Sequence, residues 1–261
     1  MSKPLTYISY LKVDELLQLQ EPQSTPEEHD EMLFIVIHQV YELWFKQLLH
    51  EMDYLMRSLR ENNTVAALHT LNRMRTILKT VVAQIDVLET MTPLEFNSFR
   101  SFLASASGFQ SIQFRELEFV LGHKREALLK HFPEETFHRD VLNRRYNEPS
   151  LWDAFLQYLV ANGYAVPAAQ LERDVTQGVA ASPEVQLILI EAYRSDDTVR
   201  SVCERLLDFD EGLQEWRYRH VKMVQRTIGM KPGTGGSPGV KYLESTIYPA
   251  FPDLWAIRSE L

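Results

Sequence analysis

The sequence predicts an all-α fold, and three observations carry that expectation. Apolar residues recur at spacings of three and four along nearly the whole chain, as they do on helices with one buried face. Helix-start signals recur too, each a Ser or Thr cap with Pro at the next position or Glu/Gln three residues on. Alternation of apolar and polar residues, the mark of a half-buried strand, is missing.

The first strong start signal is Thr25-Pro26-Glu27-Glu28, which combines a cap, Pro at the first helical position and Glu at the third. The helix it opens is expected to reach about Arg60, because neither Pro nor Gly interrupts it. Its segment Leu33-Phe34-Ile35-Val36-Ile37 is apolar on every face, which predicts a helix buried all round in the middle of the molecule. A second long pattern runs from about Thr64 to Met91. Thr92-Pro93-Leu94-Glu95 repeats the start signal and opens a shorter helix through Leu103. Ser105-Ala106-Ser107-Gly108 reads as a loop, and Ser107 with Gln110 forms a third capping box, whose helix ends near Gly122. Residues 123–196 read as shorter helices, with a stop at Asn162-Gly163 and a start at Ser182-Pro183. They are expected to form a smaller helical insertion within a single domain spanning 1–261. A final long helix covers about Thr198 to Ile228. The only Gly-rich stretch follows, from Lys231 to Gly239, and short helical pieces complete the chain. The expected arrangement is two long helices flanking a further helical pair.

With 261 residues, 45% of them apolar and 24% charged, the chain can bury a sizeable core. The formal charge of −9 argues against a nucleic-acid scaffold, which needs a basic face. It also requires that any anionic ligand be met by locally placed Arg, Lys or backbone N–H groups. Cys203 is the single cysteine, so no intrachain disulfide can form and a reducing, cytoplasmic compartment is expected. Its helical context makes it a buried packing residue. The first twenty residues mix polar and apolar types, so no secretory signal is expected, and no apolar run approaches a membrane span.

Of eight histidines, most stand among polar neighbours and read as surface residues. His38 and His220 do not. His38 follows Phe34 by four residues at the end of the apolar run, and His220 lies on the stripe Leu213, Trp216, His220, Val224. Two readings fit: a pair of core histidines hydrogen-bonded to carbonyls or carboxylates, or a cofactor between two helices with one histidine as axial haem ligand. No Cys-x-x-Cys-His occurs, so such a haem would be bound non-covalently. Other metals find less support. His50-Glu51 is not followed by a second His at metalloprotease spacing, and Glu135-x-x-His138 is the only motif of the di-iron kind. Phe96, Arg100 and Leu103 share one helical face. Arg100 there either reaches the surface along its stem or receives a substrate carboxylate, worth about 1.5–3 kcal/mol if bidentate. The Gly-rich stretch matches neither a Walker A loop nor a dinucleotide fingerprint. It is either a linker or a lid whose N–H groups and Thr234 hydroxyl close over an anionic or zwitterionic ligand.

Seven stretches in one order resemble the tryptophan 2,3-dioxygenase family, and they cover nearly the whole chain. They are Leu5 to Leu11; Glu31 to His38 with Tyr41 to Trp44; Leu88 to Pro93; Phe96 to Arg100; Ser107 to Ser111; Trp216 to His220; and Gly233 to Ser237. The resemblance implies an all-helical haem-binding domain of the tryptophan/indoleamine dioxygenase type. It implies one haem b per subunit, ferrous when active, and L-tryptophan and O2 as substrates. The product would be N-formyl-L-kynurenine, the opening step of the kynurenine pathway. By the same resemblance His220 matches the proximal iron ligand, and His38 the distal histidine that hydrogen-bonds the indole N–H. Phe34 matches the indole wall, Arg100 the carboxylate-binding arginine and Thr234 the loop threonine at the amino-acid end. Leu103, Ser107 and Gly233 match pocket-lining positions. Phe96 stands where some bacterial members carry Tyr, whose hydroxyl also meets the carboxylate. A homotetramer, a dimer of dimers, is implied, with Tyr7, Tyr10 and Leu11 in segment 1–20 reaching a neighbouring subunit's site.

Overall fold

The computed structural model describes residues 4–234 and 239–261, and every regular element among them is helical. Three long helices make the frame: His29–Arg60, Thr64–Leu88 and Asp197–Ile228. The second packs along both of the others. Its buried residues Ala67, Leu71, Met74, Leu78, Val81, Val82 and Ile85 form an apolar face wide enough for two neighbours. The third long helix comes close at Gly212, where a Cβ would lie 3.3 Å from Leu78 Cδ1. The frame is therefore a layer of three with Thr64–Leu88 in the centre, not two long helices around a pair.

The first long helix starts at His29, later than its Thr-Pro signal predicts. The Glu31 carboxylate, in its first turn, accepts the N–H groups of Gln23 and Ser24 at 2.9 Å each, and the Ser24 hydroxyl accepts from Glu28 N–H. The preceding chain thus folds across the helix end and does not lead into it. The expectation of burial all round also fails. Ile37, Tyr41, Phe45 and Leu48 are buried, but Met32 and Val36 are each 38% exposed and Leu43 is 52% exposed. This helix packs against Thr64–Leu88, Leu151–Ala161 and Ile112–Val120, which leaves one apolar edge open.

The Thr92–Glu95 capping box forms and opens the helix Pro93–Arg100, which tightens into a 3-10 turn over Ser101–Leu103. The Ser107–Gln110 box also forms, but it opens only a 3-10 turn. The next helix, Ile112–Val120, takes Ser111 as its own cap through Phe114 N–H. Leu151–Ala161 is capped by Ser150 and Asp153 and buries Trp152, Phe155 and Tyr158. Within the third long helix Cys203 is fully buried, and the buried Asp210 accepts hydrogen bonds from Ala250 N–H, Phe251 N–H and Trp255 Nε1–H. That carboxylate fixes where the chain returns after the Gly-rich stretch. No helix of the described residues is long and apolar enough to cross a membrane.

Candidate active site

The first and third long helices face one another across a cavity of about 260 Å³. Its remaining wall comes from the Pro93–Arg100 helix, residues 107–115 and the chain on either side of the Gly-rich stretch. Phe34 and His38 enter from the first long helix, one turn apart, with ring centroids 4.1 Å from each other. His220 enters from the third and lies parallel to Trp216, one turn earlier, at 5.3 Å and 1° between planes. Trp216, Phe45 and Phe114 pack on one another at 5.1–5.9 Å and make an apolar floor.

At the other end Arg100 donates from Nη2 to the Pro232 carbonyl at 2.7 Å, and its guanidinium lies over the Phe96 ring. The Thr234 hydroxyl donates to the Ala106 carbonyl at 2.7 Å. These two bonds tie the incoming arm of the Gly-rich stretch to the cavity wall. The outgoing arm meets it at Gly239, whose φ is +63° and where a Cβ would sit 2.7 Å from the Lys231 carbonyl oxygen. Only glycine closes that neck without displacing backbone.

Both cavity histidines are neutral at pH 7. Burial depresses the His220 pKa to about 4, with His38 and Arg217 adding to the effect. The neutral His220 ring lines the cavity and keeps one nitrogen lone pair that could serve as a ligand. Burial also depresses the His38 pKa, against the opposing pull of the Phe34 carbonyl and Glu42. His38 Nδ1–H donates to that carbonyl at 2.7 Å. A carbonyl only accepts, so the proton of the neutral ring is on Nδ1 and Nε2 is left as an acceptor. Glu42, one turn beyond, is the only carboxylate in the wall among the described residues and is held by Gln113 Nε2–H at 2.8 Å.

A charged cluster stands behind Trp216 and Phe114. The buried Glu118 carboxylate receives Arg115 at 2.5 Å and Arg217 and Arg125 at 3.0 Å each. Burial alone would raise its pKa; the three guanidiniums outweigh that and hold it below the usual carboxylate range. Arg115 and Arg217 also line the cavity. His123, expected at the surface, is buried beside this cluster with its ring against Tyr248 at 4.4 Å.

Of the residues singled out in the sequence, Phe34, His38, Phe96, Arg100, Ser107, His220, Gly233 and Thr234 all line the one cavity. Leu103 does not; it turns into the core from the 3-10 turn after Arg100. Tyr7, Tyr10 and Leu11 are 75%, 72% and 46% exposed and stand apart from the cavity. Residues 235–237 of the Gly-rich motif lie outside the described residues. Sequence reasoning missed Arg115, Arg217, Glu42 and Tyr242. Arg217 and Glu42 each had a signal, since Arg217 lies one turn from His220 and Glu42 one turn from His38; Arg115 and Tyr242 share no periodicity with the histidines.

The chain matches the family model described as tryptophan 2,3-dioxygenase over residues 1–157 and 185–261. It is 66% identical to a tryptophan 2,3-dioxygenase of Herpetosiphon aurantiacus over the full length of both chains. A protein of that name from Anaeromyxobacter sp. (strain K) is 54% identical, over 100% of this chain and 97% of its own. One from Caulobacter vibrioides is 42% identical over the full length of both.

Proposed function

The chain belongs to the tryptophan 2,3-dioxygenase family, and from that premise we propose that its cavity holds a haem b on His220 and L-tryptophan against His38. It is an oxidoreductase of that family, opening the indole C2–C3 bond with O2 to give N-formyl-L-kynurenine. One observation carries the reading: two neutral imidazoles on separate long helices face a single largely apolar cavity that has a guanidinium at its far end.

The donor set suits a haem. A haem would need one nitrogen ligand from the protein for its iron, and the neutral His220 ring that lines the cavity would supply it. Val221, Val224 and Leu88 supply apolar walls, and Arg115 and Arg217 supply cations for carboxylates. Among the described residues no three His, Cys, Asp or Glu side chains gather as a metal cluster. When bound, the haem supplies a ferrous centre that activates dioxygen, both atoms of which enter the product.

The chain's own residues bind and orient. His38 Nε2 accepts the indole N–H, and the hydrogen bond to the Phe34 carbonyl fixes the tautomer this requires. Phe34 packs on the indole face. Arg100 receives the substrate carboxylate, and Phe96 beside it brings no hydroxyl, so the guanidinium holds that group with less help. Thr234 meets the amino-acid end, with Ser107 and Gly233 shaping the wall. Holding the zwitterion at one end and the ring at the other limits the indole to one pose, which is where proximity lowers the barrier. His38 positions the ring and is not an obligatory base, because an indole N–H is a very weak acid and neutral imidazole a modest base. The exposed Tyr7, Tyr10 and Leu11, with the open edge of the first long helix, suit contact with further copies in a homotetramer.

The test is to give haem-loaded, reduced protein L-tryptophan and air. N-formylkynurenine with one O2 consumed per tryptophan is the expected result. A product heavier than tryptophan by one oxygen atom would mean a different reaction at the same site. No turnover despite a normal haem spectrum would move the search to other indoles.

A further inference from the structure

The cluster around Glu118 is unbalanced. Three guanidiniums, from Arg115, Arg125 and Arg217, share one buried carboxylate, which leaves two positive charges without an acidic partner among the described residues. Each Arg–Glu118 contact is within 3.0 Å, and the carboxylate is 2% exposed. Several donors remain idle. Arg217 Nε and Arg125 Nε are buried and make no hydrogen bond, and the same holds for the hydroxyl of Tyr242, which lines the cavity. The neighbours do not restore balance: His123 is neutral, and Tyr242 and Tyr248 are phenols. Among the described residues Glu42 is the only carboxylate in the cavity wall, and it sits on the opposite long helix. Arg217 is three residues before His220 on the third long helix, so both side chains reach the cavity from adjacent positions of one helical face.

Arg115 and Arg217 are each only 6% exposed, while Arg125 keeps 30% of its side chain in solvent; taking a charge out of water is costly unless it is paired, so the excess positive charge needs a counterpart or a use. We propose that the Arg115–Arg125–Arg217–Glu118 cluster is a fixed positive charge that raises the reduction potential of haem in this cavity and so holds it in the ferrous form. The proposal rests on the reading that haem occupies the cavity. The step concerned is uptake of one electron by ferric haem from a soluble one-electron donor. The iron goes from ferric to ferrous, the charge of the haem falls by one, and no bond is made or broken. A nearby positive charge favours the state with less positive iron, and low dielectric keeps that field strong. The consequence suits a reaction that consumes no electron donor per turnover: a centre lost to the ferric form is idle until something reduces it.

Opposite-signed variants test this by spectroelectrochemical titration of haem-loaded protein. Arg125→Gln, a residue that does not line the cavity, and Arg217→Gln remove positive charge and are expected to shift the midpoint potential negative. Glu118→Gln removes the only negative charge of the cluster and is expected to shift it positive. Arg217→Lys keeps the charge and is expected to stay near the parent value. General loosening that lets water reach the haem would move all of them in the negative direction, so the sign at Glu118 separates a charge effect from a structural one. If Glu118→Gln does not fold, the contrast of Arg217→Gln with Arg217→Lys and the shift in Arg125→Gln decide the matter. Haem uptake with all variants shifted alike, or none shifted, overturns this inference alone. Failure of the parent protein to take up haem overturns the reading beneath it as well.

Discussion

His38 spends its one ring proton on the carbonyl of Phe34, and the orientation of its free nitrogen follows from that single bond. On the proposal that it holds the substrate ring and does not take its proton, His38→Ala is expected to retain measurable turnover at saturating tryptophan; complete loss in a steady-state assay would overturn the positioning role. Arg100 is half-buried, and its one hydrogen bond among the described residues is to a loop carbonyl, so donors remain for a carboxylate. Arg100→Ala is expected to raise KM for tryptophan roughly ten- to a hundredfold, the equivalent of about 1.5–3 kcal/mol for a charged hydrogen-bonded pair. Haem content, read from the Soret absorbance per subunit, should not change; its loss would mean that the arginine supports the fold. Both residues were legible in the sequence because each breaks an apolar helical stripe with a polar side chain. Arg115 was not, since nothing in its local spacing distinguishes a charge that faces a cavity from one that faces solvent; Glu42 follows His38 by four residues, a spacing that the sequence reading did not use.

On the proposed reading, the Gly-rich stretch is the element on which substrate binding depends. Its arms are fastened to the wall through Pro232 and Thr234 and meet at Gly239, where backbone lies against backbone. Gly239→Ala places a methyl group 2.7 Å from the Lys231 carbonyl oxygen at a φ of +63°, so the neck must open. The expected result is a raised KM for tryptophan with haem affinity and helical circular dichroism unchanged; an unchanged KM would show that the neck does not govern the site. Long elements were the readable ones. The second and third long helices run within a few residues of their sequence-derived ends, because capping and periodicity act locally. The start of the first was misread because Glu31 recruits two N–H groups from the preceding chain, a contact no local rule contains. Leu103 lies in the 3-10 turn that follows Arg100 and packs against the core, apart from the residues that line the cavity.

Across the whole molecule, burial of neutral histidines ties stability to pH. His123 has its pKa depressed to about 4 by burial, with Arg217 adding to the effect, and its unfolded value is near 6.5. Between those values the unfolded chain binds a proton that the folded chain refuses, so stability is full above about pH 6.5 and falls as the pH drops toward 4. At about 1.4 kcal/mol per unit, His123 alone contributes up to roughly 3 kcal/mol. Urea midpoints measured across this window should fall with acidification, and His123→Asn should flatten the slope; a slope unchanged by the substitution would remove His123 as the cause. Assembly is the other property of this scale. Segment 4–20 touches the rest of the chain chiefly through Gln39, yet exposes Leu5, Tyr7, Tyr10, Leu11, Leu17 and Leu19. Deleting residues 1–20 is expected to lower the molar mass in light scattering below that of the intact protein without loss of helicity. An unchanged mass would mean that other surfaces hold the subunits. The open edge of the first long helix explains why its complete burial was misread: an all-apolar segment demands cover, and the sequence does not say whether its own chain or another provides it. Finally, Cys203 is the chain's one thiol, lies fully inside the core and has its pKa pushed up by burial. A thiol reagent can reach it only when the three-helix frame comes apart. Its alkylation rate in native buffer is therefore a clock for whole-molecule opening, with one hand and no label to introduce, and any ligand that fills the cavity should make that clock run slower.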